Sequence, residues 1–155
     1  MKILITGASS QVGDFLIPRL IQSNHSCYLV GRTPPRFKED LVWIKADLKD
    51  EMDFFDQLGK LDVWIHIAPL YLANPWLERA AKSGIRQFIG FGTTSIFTKQ
   101  NSSDPGECRF IADILETEER IMQLCESSDI SWTVLRPTLI YGCGRDQNVS
   151  FIQQM

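Results

Sequence analysis

Between Thr6 and Gly13 the chain reads T-G-A-S-S-Q-V-G. A dinucleotide pyrophosphate needs backbone N–H groups aimed at it from a helix N-terminus. It also needs residues small enough for close approach. Gly7 can make the tight turn, Ser9 and Ser10 are small and carry hydroxyl donors, and Gly13 lets a helix sit against a sheet. Gly7, Ser9, Ser10, Gln11, Val12 and Gly13 are therefore expected around a pyrophosphate, with backbone N–H groups as the main donors. Any strand–turn–helix junction of small residues would read the same way, so the flanking elements have to decide. Arg32, in G-R-T, is the second candidate. In the generic dinucleotide-binding fold an acid after the second strand holds the NAD ribose hydroxyls. Here Gly31 opens space and Arg32 supplies a planar cation suited to a phosphate, which favours NADP over NAD. Arg32 also reads as a solvated loop charge. Arg36 could assist, but the Pro34-Pro35 turn leaves its direction unreadable. His66 sits inside an apolar run and reads as a satisfied core residue rather than a catalyst. Cys27, Cys108, Cys125 and Cys143 form no C-x-x-C pair, and with two histidines there is no zinc spacing. They read as reduced thiols.

The elements that must position these residues alternate along the chain. Lys2–Thr6 is a strand ending at Gly7, followed by Val12, Phe15, Leu16 and Leu20 at helical spacing. Pro18 should kink that helix, because it removes an i→i−4 bond. Ser26–Val30 and Leu41–Lys45 are the next strands. Asp50 is a candidate N-cap for a short helix around Met52–Leu58. Leu61–Ile67 is a nearly continuous apolar strand. Asn74-Pro75 opens a helix to about Lys82, stopped by Gly84 as the C′ residue. Arg86–Phe91 is the fifth strand and Trp132–Leu135 the sixth. Between them Gly106 to about Ser127 is the longest helix, with Ile111, Ile114, Leu115, Ile121, Met122 and Cys125 on one side. This alternation predicts an α/β fold, a doubly wound parallel sheet of about six strands with helices on both faces. Runs such as V-W-I-H-I-A fit strands buried on both sides. Arg32–Asp40 and Thr98–Pro105 are the expected loops.

Composition sets the outer bounds. The chain has 155 residues, 44% hydrophobic and 23% charged, so one globular domain with a full core is expected. Its formal charge of −3 leaves no basic excess for a phosphate backbone, so nucleic acid is not an expected partner. No segment approaches the ~20 apolar residues of a membrane span, and the N-terminal apolar run is too short for a signal peptide. The expected compartment is the cytoplasm.

The motifs together resemble an extended short-chain dehydrogenase/reductase, the family of nucleotide-sugar epimerases and dehydratases. The family's T-G-x-x-G-x-x-G corresponds to Thr6, Gly7, Ser10 and Gly13, with serine replacing the middle glycine. A-D-L at Ala46–Leu48 resembles the segment with the adenine-contacting Asp, which implies that Asp47 and Leu48 meet the cofactor. Asp47 also reads as a turn or helix-start carboxylate. I-H-I-A at Ile65–Ala68 resembles the V-x-H-x-A signature and implies cofactor contacts at Ile67, Ala68 and Pro69. F-G-T-T-S-I-F at Phe91–Phe97 resembles the segment with the catalytic Ser or Thr, which implies Thr93. L-R-P-T-L-I-Y-G at Leu135–Gly142 resembles R-P-x-x-x-Y-G. The resemblance implies a Rossmann domain over residues 1–142 that binds NADP, or NAD.

Two departures stand out. The family's acid–base chemistry uses a Tyr-x-x-x-Lys on the long helix. Matching the family's later Glu to Glu118 places Phe110 at the Tyr position and Ile114 at the Lys position. A shift of one gives Ile111 and Leu115, and no tyrosine or lysine lies between Gly106 and Ser127. Positioned acid–base groups contribute typically about 10²–10⁴-fold, so the family's standard mechanism cannot run on this helix. Tyr71 and Tyr141 are the other candidate phenols. The second departure is the segment 143–155, expected to be the start of a truncated or missing substrate-binding lobe. The expectation is an atypical, Tyr/Lys-deficient family member. Its chemistry would be hydride transfer at a sugar nucleotide or another small carbonyl or alcohol. The rival is a non-catalytic dinucleotide sensor or scaffold module. Homo-oligomerisation is left open.

Overall fold

The short apolar runs become six strands: β1 (Lys2–Thr6), β2 (Ser26–Gly31), β3 (Val42–Lys45), β4 (Val63–His66), β5 (Gln87–Phe91) and β6 (Ser131–Leu135). The helices are α1 (Gln11–Gln22), α2 (Leu77–Lys82), α3 (Ser95–Thr98) and α4 (Pro105–Ser127). The computed structural model describes residues 1–34, 36, 41–50 and 53–142. Every strand pair is parallel and the spatial order is β3-β2-β1-β4-β5-β6. The order reverses at β1, which pairs with β2 on one side and β4 on the other. In open parallel sheets a ligand crevice forms at that reversal, outside the carboxyl ends of the strands. Thr6 is level with Val30 and with His66, so three strands deliver their loops to one rim.

Burial follows the two-residue period of a strand. Leu4, Val30, Trp64 and Phe88 point to the face packed by Leu77 and Ala80 of α2 and by Ile121 and Cys125 of α4. Ile3, Ile5, Leu29 and Ile65 point to the opposite face, where Ile17 of α1 packs. All four residues of β4 are buried, as its apolar run predicts. Trp64, Phe55 and Phe88 meet edge to face, at centroid distances of 6.1 and 5.1 Å from Trp64.

Several local expectations need correction. Helix α1 runs unbroken across Pro18, and its buried residues are Gly13 and Ile17 while Phe15 is exposed. One missing backbone bond is tolerated where neighbouring turns pack on the sheet. The short helix expected at 52–58 is a 3₁₀ turn at Phe55–Gln57. Asp53, rather than Asp50, accepts from the Phe55 N–H at 2.9 Å as the chain enters that turn. Asp53 also pairs with Arg79 of α2, which ties the turn to that helix. On α4, Leu115 is exposed and the buried stripe carries Thr117 and Glu118 beside Ile111, Ile121 and Cys125. Gly84 has a φ of +90° and follows the Ser83 cap, as a C′ glycine should. Cys27, Cys108 and Cys125 are free thiols, and burial pushes Cys125 up to about 11. Cys143 and the segment 143–155 lie outside the described residues.

Candidate functional site

The loop after β1 is shaped by what comes close to it. Gly7 has a φ of +79°, and a Cβ there would lie 2.4 Å from the Ala68 nitrogen. Only glycine satisfies both constraints. The Ser10 N–H donates to the Gly7 carbonyl at 3.0 Å, closing the turn. Ser10 then caps α1, its Oγ accepting from the Gly13 N–H at 3.2 Å. The first helical backbone bond runs from the Asp14 N–H to the Ser10 carbonyl at 3.1 Å. The N–H groups of Gln11 and Val12 precede it, in the turn where helix donors lack an intrahelical acceptor. A Cβ at Gly13 would stand 2.1 Å from the Ala8 carbonyl oxygen. What Gly13 admits is therefore the loop's own backbone, rather than the sheet.

A cleft of about 360 Å³ opens on this rim. Gly7, Ser9 and Ser10 form one side of it, and Ile67, Ala68 and Pro69 another. Arg32, Asp47 and Leu48 close the end beyond β2 and β3. Nine of the residues singled out from the sequence thus meet at one place. Gln11, Val12 and Gly13 do not contribute side chains to the lining. The Gln11 amide instead donates to the Tyr141 carbonyl at 2.8 Å, across 130 positions of chain. That contact, which sequence reading did not find, brings the segment after β6 back to the phosphate loop.

At the far end of the cleft, Arg32 Nη1 lies 3.8 Å from Asp47 Oδ2, and the arginine side chain is 78% exposed. Asp47 Oδ1 accepts from the Lys49 N–H at 3.1 Å, the turn role also expected of it. Leu48 is anchored by its carbonyl, which accepts from the Trp76 indole at 3.0 Å.

Behind the loop a buried chain of hydrogen bonds fixes the Ala68–Pro69 segment. The Trp64 indole N–H donates to Thr6 Oγ1 at 2.9 Å. Thr6 Oγ1 lies 2.7 Å from His66 Nδ1, and His66 Nε2 lies 3.0 Å from the Pro69 carbonyl. A carbonyl only accepts, so Nε2 carries the ring proton. Thr6 then donates to a bare Nδ1. Burial holds His66 down to about 4, so the ring stays neutral and structural.

A second cavity, of about 610 Å³, adjoins the cleft; Pro69 and Tyr71 line both. Its walls come from the loop after β4 (Leu70), the end of β5 (Phe91, Gly92, Thr93) and α4 (Phe110, Asp113, Ile114, Thr117). Phe110 and Ile114 thus face the same space as Thr93. Thr93 Oγ1 is 3.1 Å from Ser95 Oγ and accepts from the Ser95 N–H at 3.2 Å, so its hydroxyl also serves the turn into α3. Tyr141 is not among the residues that line this cavity. Below it, buried Glu118 pairs with Arg136, whose guanidinium lies 5.9 Å from the Phe97 ring centroid. A Cβ on Gly92 would come within 2.6 Å of Glu118 Oε1. Helix α4, the end of β5 and the segment after β6 therefore share one joint. Among the described residues no helix is long and apolar enough to cross a membrane.

Residues 7–150 match the NAD(P)H-binding family. The chain belongs to that family. Curated relatives of this NAD(P)H-binding chain include uncharacterized proteins of Mycobacterium bovis and Mycobacterium tuberculosis. Each is 24% identical over 143 residues, which is 92% of this chain and 15% of the relative. MoeE5 in complex with UDP-glucuronic acid and NAD superimposes at a TM-score of 0.77 and 20% identity. That match covers 99% of this chain and 60% of MoeE5. UDP-N-acetylglucosamine 4-epimerase from Bacillus cereus matches at 0.75 and 17% identity, over 99% of this chain and 61% of that one. A short chain dehydrogenase from Leptospira borgpetersenii with bound NAD⁺ matches at 0.73 and 17% identity, over 98% and 75%. The chain therefore has the Rossmann fold of short-chain dehydrogenase/reductase and epimerase/dehydratase structures. It spans 15% of the length of these curated relatives and 60% of MoeE5.

Proposed function

We propose that NADP(H), or NAD(H) more weakly, lies across the rim with its pyrophosphate over Gly7–Ser10 and the first turn of α1. The adenosine half rests between Arg32, Asp47 and Leu48. The segment Ile67–Pro69 carries the path toward the second cavity, where Thr93 stands. The observation that carries this reading is the approach of Gly7 to Ala68. It keeps position 7 bare of a side chain where the strand order reverses, next to the helix N–H donors. A bound NADP(H) would supply a hydride at its nicotinamide ring. This chain's own residues bind and orient it, and Thr93 would position a substrate oxygen.

Preference for NADP rests on Arg32, which is open enough to swing from Asp47 to a 2′-phosphate. A charge-assisted hydrogen bond is worth roughly 1.5–3 kcal/mol. NADPH is therefore expected to bind about tenfold or more tighter than NADH, with Arg32→Ala erasing most of the difference. Calorimetric titration of both cofactors tests this, and equal affinities in the parent would refute the preference. Flat titrations with both would refute the site.

The second cavity supports a binding role over the family's usual turnover. Phe110 cannot exchange a proton and Ile114 has no charge to offer a ribose. A dinucleotide sensor or scaffold in the cytoplasm fits these residues better than an epimerase. The parent is expected to show no NADPH oxidation with sugar nucleotides or simple carbonyls. Robust turnover abolished by Thr93→Val would overturn that reading.

A further inference from the structure

We infer that the second cavity takes an uncharged aromatic ring bearing a single oxygen function, an aryl alcohol or aryl carbonyl, in place of a sugar ring. The inference rests on the cofactor reading only for the cavity's role, since the pocket itself is a property of this chain. About 610 Å³ is within the range of small-molecule sites, ~300–1,000 Å³. Leu70, Tyr71, Phe91, Phe110 and Ile114 supply apolar surface from three separate elements. Tyr71 is 52% and Phe110 58% exposed, so two aromatic rings of the lining stand open to solvent. An exposed aromatic ring can receive another by offset stacking or edge contact.

Charge and hydrogen bonding narrow the class further. Among the described residues no lysine, arginine or histidine lines the cavity, so a diphosphate or carboxylate finds no counter-charge from them there. The one ionisable acid in the lining, Asp113, repels anions. A sugar ring carries several hydroxyls, and each one buried without a partner costs affinity. Beyond Asp113, the side-chain oxygens available are those of Thr93, Thr117 and Tyr71, and Thr93 is already engaged with Ser95. The lining is mostly apolar, so a ligand with one oxygen function fits it better than a polyol. The adjoining cleft has the opposite character, with Arg32, Lys49 and the phosphate loop around it.

The test uses naphthalen-2-ylmethanol as the aryl probe and UDP-glucose as the competitor. Both are titrated by calorimetry and by ligand-observed saturation-transfer NMR, with and without saturating NADPH. The aryl alcohol is expected to bind, and UDP-glucose not to displace it. Phe110→Ser and Ile114→Lys should each weaken the aryl alcohol at least tenfold. Far-UV circular dichroism checks that the variants fold. Should Ile114→Lys unfold the domain, the half-exposed Phe110→Ser variant carries the test alone. Absence of aryl binding overturns the inference, as does binding unchanged in Phe110→Ser or UDP-glucose displacing the probe. Aryl binding without any NADPH binding supports the cavity while defeating the cofactor reading. NADPH binding without aryl binding does the reverse.

Discussion

At Gly13 a side chain meets the Ala8 carbonyl oxygen at 2.1 Å, and at Gly7 it meets the Ala68 nitrogen at 2.4 Å with a φ of +79°. Both contacts are with backbone, which cannot rotate away. Gly13→Ala should lower stability by about 1–3 kcal/mol, the range for forced overpacking. Gly13→Val should cost at least as much and weaken dinucleotide binding. An unchanged urea midpoint for Gly13→Ala would show that the loop moves freely. His66 gives a pH signature. Its pKa falls from about 6.5 unfolded to about 4 folded, so protonation favours unfolding. Its contribution is complete above pH 6.5 and is lost as pH falls through 6.5 toward 4, in total on the order of 3 kcal/mol. Urea unfolding at pH 7, 6, 5 and 4.5 should trace this fall, and His66→Gln should flatten it. An identical pH profile in the variant would assign the effect to carboxylates. At this scale the residues that line the first cleft were legible, because small residues between a strand and a helix mark a tight turn. Such residues and Arg32 also read as ordinary turn and surface groups. The Gln11 side chain was not legible: its amide goes to the Tyr141 carbonyl, and nothing local marks a partner 130 positions away.

Among the elements, α4 carries the most consequence. Its buried Glu118 meets Arg136 after β6, beside Gly92 at the end of β5. Glu118→Ala would leave the Arg136 guanidinium without its buried carboxylate. The expected loss is about 1–2 kcal/mol, well below that for a fully buried pair because Arg136 reaches water. A double variant, Glu118→Leu with Arg136→Met, should be more stable than Glu118→Ala. If the single variant is as stable as the parent in thermal unfolding, the joint is not holding α4. The strands and the long helix were readable from period alone, since a parallel sheet buried on both faces demands continuous apolar runs. The exposed side of α4 was not. Leu115 fits the helical stripe by spacing, yet the sheet it should cover is taken up by Thr117, Glu118 and Ile121. The 3₁₀ turn at Phe55–Gln57 was read as a helix because Asp50 looked like an N-cap ahead of apolar residues, and a single turn cannot be told from a short helix by such a signal. The second cavity was legible only as a gap in the family pattern. Its other walls arrive from the loop after β4 and the end of β5, which sequence spacing does not bring together.

For the molecule as a whole, a ligand bound only by the folded state should add stability by mass action. At a hundredfold excess over its Kd, NADPH is expected to add about 2.7 kcal/mol to unfolding. A shift that Arg32→Ala reduces for NADPH but not for NADH would tie the gain to the 2′-phosphate. The central place of β1 has a further consequence for how the protein is made. Ile3 pairs with Cys27 on one side and Val63 on the other, and Gly7 rests against Ala68. Strand β1 thus has both neighbours only once β4, some 60 positions further along the chain, has formed. At about 5–20 residues per second it waits several seconds on the ribosome for β4 to appear. During that wait Ile3, Leu4 and Ile5 have one neighbour at most, and the phosphate loop has nothing to press against. NADPH therefore cannot rescue an early nascent chain. Ribosome-stalled chains ending before residue 60 should be cut by protease at the same rate with and without NADPH. Chains with residues 1–142 fully emerged should be protected by it.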